Sequence, residues 1–482
     1  MKPLNIGILA HVDAGKTSLT ERFLFESGVI ATLGSVDAGN TQTDSMALER
    51  QRGITIRSAV VSFNIGNLKI NLIDTPGHPD FIAEVERALS VLDAVVLVVS
   101  AVEGVQSQTR ILMRVLKKLH VPTFIFINKV DRVGARSAEL VADIQAKLFS
   151  HLAVMNTVQD IGSRSATVIP TKNTNTDLAG HISRMDVCPV FYGSAVTGTG
   201  IADLMKGFET FLTPSYVNPD DQLSAVVFKV ERGDQDEKIA YVRIYSGMLH
   251  TRSHVDVIRK NVKNDEPHTA KITALQLFDK GKTVETQTAS SGEIVKVFGL
   301  HDAFVGDWLG SQTKEITQQF ARPNLETVVS LQNSTDKVKL FAALKRMSEQ
   351  DPLLQIYQSE GGVISVRLYG EVQKEVIEAT LHDEHGIHVA FEKTQVIYIE
   401  RPTGIGKSFA DKMDEDNFFE ATLGFTISPG PLNSGIVFIP GPGRGGLPNA
   451  FIQAVEDTVR RTLEEGLYGW SVTDCIVEVT AA

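Results

Sequence analysis

The stretch Ala10-His11-Val12-Asp13-Ala14-Gly15-Lys16-Thr17, followed by Ser18, carries the residue types of a phosphate-binding loop. Loop amides and the N-terminus of a following helix direct donors at phosphate oxygens. A lysine at position 16 reaches the β- and γ-phosphates, and the Thr17 hydroxyl is suited to ligate Mg²⁺. Ala10 stands where the strict pattern has glycine, so later stretches must share the assignment. Asp74-Thr75-Pro76-Gly77 supplies an acid for the cation, through water, and a glycine amide for the γ-phosphate. Asn128-Lys129-Val130-Asp131 supplies a carboxylate, Asp131, that accepts hydrogen bonds from N1 and N2 of guanine. Adenine lacks that donor pair, so the base is read as guanine. Gly193-Ser194-Ala195 offers an amide to the guanine O6. Thr55, within Arg52-Gly53-Ile54-Thr55-Ile56, can set its hydroxyl on Mg²⁺ and its amide on the γ-phosphate. A segment held only by those two groups is released when the phosphate leaves. His78 follows Gly77, where it can orient an attacking water; phosphoryl transfer needs mainly positioning and charge stabilisation.

These residues need strands that end at the site. Leu4 to Leu9, Leu68 to Ile73, Thr123 to Ile127 and Val187 to Tyr192 are apolar runs, each ending at one of the stretches. Strand Ala94 to Ser100 and helices Ser18 to Phe25, Gln106 to Leu119, Ser137 to Leu152 and Gly200 to Leu212 complete a βα alternation. That order predicts a doubly wound, mostly parallel sheet over residues 1–215. Gly28 to Gln51, rich in Gly, Ser, Thr and Asp, reads as a mobile loop.

Thr213 to Asp221 reads as a linker. Beyond it the period becomes two: Leu223 to Val230, Ala240 to Tyr245, Val255 to Ile258, Lys271 to Phe278 and Glu293 to Phe298. Short strands between turns predict an antiparallel β-barrel over 222–315. Residues 320–399 alternate strand, helix, strand, helix, strand, with helices Asp336 to Glu349 and Gly370 to His382, as in an α/β plait. His382, His385 and His388 lie near one another, but Gly386 reads as a helix stop that keeps them off one face. Residues 400–482 read as an incomplete α/β domain: an amphipathic helix from Pro448 to Glu465 and two or three strands. Gly404-Ile405-Gly406-Lys407-Ser408 imitates a second phosphate loop, but no apolar helix follows it. Gly441 to Gly446 reads as a linker-like loop.

A length of 482 residues implies several domains, and an apolar fraction of 43% suffices for ordinary cores. The net charge of −11 argues against indiscriminate polyanion binding. Two distant cysteines, Cys188 and Cys475, fit a reduced cytoplasmic protein, and no apolar run spans a membrane.

The chain resembles translational GTPases of the elongation factor G superfamily. The match is carried by Ala10 to Thr17, Arg52 to Ile56, Asp74 to His78, Asn128 to Asp131, Gly193 to Ala195 and Arg243-Ile244-Tyr245-Ser246-Gly247. Within that superfamily it is most similar to the tetracycline-resistance ribosomal protection proteins. That likeness rests on His11 to Glu21, Thr43-Asp44-Ser45, Leu48 to Thr55, Leu467-Tyr468-Gly469-Trp470 and Val472-Thr473-Asp474-Cys475. The resemblance implies a ribosome-dependent GTPase that binds GTP, GDP and Mg²⁺. It would dislodge tetracycline from the ribosome and leave after hydrolysis, working as a cytoplasmic monomer. It implies catalytic roles for His78, Lys16 and Asp13, with Asp13 supporting a second cation. Thr17, Thr55 and Asp74 would hold the metal. Family members continue past this point, so the chain reads as C-terminally truncated. Two other readings stay open: a factor serving translation itself, as translocase or recycling factor, and a non-catalytic occupant of the factor site.

Overall fold

The computed structural model of the chain describes residues 1–34, 41, 47–171, 177–214, 221–233, 235–259, 268–314, 318–331, 337–351, 353–358, 362–413, 422–441 and 448–481. Thr43-Asp44-Ser45, most of the expected linker Thr213 to Asp221, and Gly443 to Gly446 lie outside the described residues. By backbone contacts the chain divides into two compact units. One comprises Met1–Pro323 with Thr327–Lys393, the other Asn324–Glu326 with Thr394–Ala482.

The first unit opens with β1 (Lys2–Ala10), α1 (Lys16–Glu26), α2 (Ala47–Arg52), β2 (Ala59–Ile65), β3 (Leu68–Asp74), α3 (Ile82–Leu89), β4 (Ala94–Ser100), α4 (Ser107–Leu119) and β5 (Thr123–Asn128). It continues with α5 (Ala138–Lys147), β6 (Leu152–Val154), β7 (Asn156–Gln159), β8 (Thr167–Pro170), α6 (Leu178–Ser183), β9 (Cys188–Tyr192) and α7 (Ile201–Phe211). One sheet runs β2-β3-β1-β4-β5-β9-β6. β2 is antiparallel to β3, and the remaining pairs are parallel. Alternate residues of β4 and β5 enter opposite cores. Val96, Val98, Phe124 and Phe126 pack with Leu19 and Phe23 of α1 and Leu204 and Phe208 of α7. Val95, Leu97, Ile125 and Ile127 pack with Val85 of α3, Leu112 and Leu116 of α4 and Ile144 of α5. Strands buried on both faces must be continuously apolar, which is why these runs were legible.

Several boundaries differ from the sequence expectation. The expected loop Gly28 to Gln51 ends in the helix α2, which runs one residue past it to Arg52. It is fixed from within: the Glu49 carboxylate accepts the amides of Ile56 and Arg57 at 2.9 and 3.0 Å. The helix expected to reach Leu152 ends at Lys147. The amides of Leu148 and Phe149 both turn back to the Ile144 carbonyl, both side chains are buried, and the chain reaches the sheet edge as β6.

The second sheet has eight strands, beginning with the antiparallel pair Ser224–Arg232 and Lys238–Ser246. Its core gathers Val227, Val242, Val295 and Leu309. The single strand expected over Lys271 to Phe278 is two strands, His268–Lys271 and Ala274–Asp279. At the corner between them the Ile272 amide bonds to the Ser253 carbonyl and the Thr273 amide to that of Phe298, so the chain changes partner strand there.

A third sheet, ordered Gln355–Gln358, Ile364–Leu368, Leu325–Leu331, Val389–Phe391, carries α8 (Lys337–Gln350) and α9 (Glu371–His385). Two strands form the hairpin where one was expected. α9 outlasts its expected end at His382 by one turn. It stops at Gly386, whose φ of 64° lets its amide and that of Ile387 return to the His382 and Leu381 carbonyls.

The second unit holds a four-stranded sheet, ordered Gly406–Ala410, Leu423–Pro429, Cys475–Ala481, Ile436–Ile439, and α10 (Asn449–Thr462). The sequence led to fewer strands because Gly406–Ala410 and Ile436–Ile439 alternate poorly or are short. The segment that imitates a phosphate loop is strand from Gly406 onward. Phe451, in the first turn of the helix expected to be amphipathic, is exposed. Among the described residues no helix is long and apolar enough to cross a membrane.

Candidate functional site

β1 delivers the chain to its carboxyl edge, where Thr75 anchors the neighbouring strand end by donating to the Ile8 carbonyl at 2.8 Å. Two residues of the loop lie in left-handed backbone: Asp13 (φ 62°) and Gly15 (φ 90°). Gly15 is required twice over. L-residues are strained at that φ, and a Cβ there would overlap the Asn128 side-chain amide. The residue at the start of α1 is this glycine, and no side chain caps the helix, so its first amides are left to the cleft.

The cleft has a volume of about 410 Å³. Its walls include His11 to Ser18 from the loop, Thr55, Gly77 and His78, Asn128, Lys129 and Asp131, and Ser194 and Ala195. All the chemically distinct stretches therefore meet at one place. Ala10, Asp74, Thr75, Pro76 and Val130 are not among the lining residues; they are buried behind it and act as supports. Leu33, Gly34, Arg132 and Val196 also line it, as do Gly53 and Ile54 of the Thr55 segment. The sequence did not single out Leu33, Gly34, Arg132 and Val196, which stand outside the distinctive stretches.

Lys16 is buried and forms an ion pair with fully buried Asp74. Its Nζ also donates to the Thr55 hydroxyl at 3.2 Å, and the Thr17 and Thr55 hydroxyls lie 3.0 Å apart. Two hydroxyls and a carboxylate are an all-oxygen donor set of the kind a small hard divalent cation takes. Asp13 lies exposed at the rim. His11 faces Thr109 with its Nδ1 at 3.2 Å, and burial lowers its pKa, favouring the neutral ring.

Asn128 ties two walls together. Its amide nitrogen donates to the Ala14 carbonyl at 2.8 Å, and its oxygen accepts the Ala195 amide at 2.9 Å. This corrects the expectation that Gly193-Ser194-Ala195 offers a free amide to the base. The amides of Gly193 and Ser194 bond to the carbonyls of Ile127 and Thr199, and that of Ala195 to Asn128. A tight turn after β9 consumes its own donors. Lys129, at φ 69°, sends its amine to Glu103 at 3.1 Å.

His78 is half-buried and lines the cleft. Its Nδ1 accepts the Asp80 amide at 3.2 Å, capping the short turn Pro79–Phe81. Asp80 went unnoticed in the sequence because nothing there distinguishes it from a surface acid.

Residues 1–214 match the elongation factor Tu GTP binding domain, 237–310 match elongation factor Tu domain 2, and 394–482 match elongation factor G, domain IV. The oxytetracycline resistance protein of Streptomyces rimosus is 43% identical, over 100% of this chain and 79% of its own length. The tetracycline resistance protein TetP of Clostridium perfringens is 39% identical, over 99% of this chain and 78% of that protein. TetM of Streptomyces lividans is 40% identical, over 98% and 79%. A crystal structure of a Thermus thermophilus protein superposes with a TM-score of 0.71 at 20% identity, covering 100% of this chain and 81% of the other, which speaks to fold alone. The chain belongs to the tetracycline-resistance ribosomal protection proteins, within the elongation factor G superfamily of translational GTPases.

Proposed function

We propose that this GTPase binds the ribosome in its GTP form, dislodges tetracycline and uses hydrolysis to dissociate. The observation that carries the reading is the 43% identity, across the whole chain, with an oxytetracycline resistance protein. That likeness favours protection over a translocase, a recycling factor or a non-catalytic occupant.

In this reading the amides of the His11–Ser18 loop and helix start and the Lys16 amine take the phosphates. Lys16 exchanges its Asp74 and Thr55 partners for phosphate oxygens, and those groups, with Thr17, become donors for Mg²⁺. The cation supplies neutralisation of phosphate charge. Asp131 reads guanine, Ser194 and Ala195 flank the base, Asp13 supports a second cation, and His78 orients the attacking water. Domains at 1–215, 222–315, 320–399 and 400–482, a monomeric state and a cytoplasmic location belong to the same proposal.

Displacement of labelled tetracycline from purified ribosomes tests it. The drug should leave when the chain is added with GTP and stay when it is added with GDP. Unchanged drug occupancy in both conditions refutes the release function.

A further inference from the structure

Two segments that bear site residues rest on one helix outside the cleft. Ile56 and Phe81 are buried against Val376 of α9, with Leu48, Ile54 and Val372 around them. Arg52 pairs with Glu375, and Arg57 lies 3.8 Å from Glu384. The segment carrying Thr55 and the turn after His78 therefore share a rigid support.

At the N-terminus of α9 the contact is polar. The capping position is Gly370, which has no side chain to offer the first amides. Asp80 supplies the missing acceptor: its Oδ2 takes the amides of Val372 at 2.9 Å and Gln373 at 3.4 Å. A Cβ at Gly370 would overlap both carboxylate oxygens, so glycine makes the room that Asp80 fills. The other oxygen, Oδ1, lies 3.4 Å from the His78 Nδ1; that nitrogen accepts the Asp80 amide when it bears no proton and donates to Oδ1 when it bears one, so Asp80 offers it a partner in either tautomer. Burial pushes the Asp80 carboxyl up, but the bond and charge of His78 and the amides of Gln373 and Val372 hold it below the ordinary range. An ionised carboxylate is also what a helix N-terminus favours. One residue, through its backbone amide and its carboxylate, thus joins the imidazole to the N-terminus of α9.

We propose that Asp80 is a positioning residue for His78. Braced on the N-terminus of α9, it fixes the orientation of the imidazole, so that hydrolysis depends on the seating of α9. The proposal rests on the reading of His78 as the water-orienting group. Asp80 neither lines the cleft nor bonds to Lys16, Thr17 or Asp131, so the expected effect of removing it falls on kcat and not on nucleotide affinity.

A double-mutant cycle on ribosome-stimulated GTP hydrolysis tests this, using wild type, Asp80→Ala, His78→Ala and the double variant. Asp80→Ala should lower kcat roughly 10- to 100-fold, the usual worth of correct placement of a catalytic group, while KM for GTP and the affinity for a fluorescent GDP analogue stay within about twofold. In the His78→Ala background the same change should cost nothing further. Asp80→Asn, which keeps volume and one acceptor oxygen, should fall between wild type and Asp80→Ala, and serves the cycle if the alanine variant does not fold. Gly370→Ala, which displaces the carboxylate while leaving Asp80 itself unaltered, should reproduce part of the kcat loss. Wild-type kcat in Asp80→Ala, or losses that multiply in the double variant, overturns the proposal with His78 still in place. If His78→Ala alone leaves kcat unchanged, the reading of His78 fails, and the positioning role goes with it.

Discussion

Asn128 offers the sharpest test of how the cleft is built. Its side chain is 2% exposed and makes two bonds across the site, to the Ala14 carbonyl and the Ala195 amide. Asn128→Ala removes both. A buried polar group left without its partner costs about 1–3 kcal/mol, so the pair is worth about 2–6 kcal/mol before relaxation. Water entering the open cleft recovers part of this, leaving about 2–4 kcal/mol to divide between folding and binding. At about 1.4 kcal/mol per tenfold, that is roughly 30- to 700-fold if it all appears in nucleotide affinity. Urea unfolding and titration with a fluorescent GDP analogue measure the two shares, and their sum is the quantity of interest. Asn128→Asp should be at least as damaging. It keeps the acceptor for Ala195 but sets a carboxylate oxygen against the Ala14 carbonyl, where the amide now donates at 2.8 Å. Both variants matching wild type within about 0.5 kcal/mol in stability and affinity together would refute the stitching role, given the additivity error of such measurements.

Lys16→Ala should abolish GTP binding, because it deletes the buried cation among the phosphates; a titration showing wild-type affinity would remove the loop assignment. Asp131→Asn should turn preference from guanine to xanthine nucleotides, since an amide can donate to the xanthine O2; competition between GTP and XTP decides it. Glu231 pairs with Lys229 at 2.6 Å and accepts the Tyr241 hydroxyl; burial raises its pKa, but Lys229 chiefly holds it down to about 2. A depressed carboxylate contributes stability that is complete above its unfolded value near 4.5 and is lost as pH falls toward 2. The contribution is on the order of 3 kcal/mol at most. Glu231→Gln should flatten the acid side of the stability profile over that window, and an unchanged acid limb in urea titrations would count against it.

The nucleotide half of the molecule was legible because its physics is local. Strands buried on both faces must be apolar runs, and the loops that end them carry glycine, lysine, threonine and aspartate in fixed order. What escaped were properties set by distant partners. α2 is held by the Glu49 carboxylate bonding amides several residues ahead, within a stretch whose composition reads as loop. The break at Ile272 is decided by which neighbour strand supplies the next carbonyl, and no residue type announces it. The amides of Gly193 to Ala195 looked available because their partners Ile127, Thr199 and Asn128 appear only in three dimensions. Asp80 is the clearest case: its role depends on a glycine far along the chain, at the start of α9.

The most direct measurement of the whole scheme is multiple-turnover GTP hydrolysis by the full chain, with and without ribosomes, in wild type and His78→Ala. Ribosomes should stimulate the wild type strongly. His78→Ala should bind GTP and GDP as the wild type does yet lose about a hundredfold or more of the stimulated rate, as expected for a contact made mainly in the transition state. Equal stimulated rates in the two proteins, or no stimulation of the wild type at all, would contradict it.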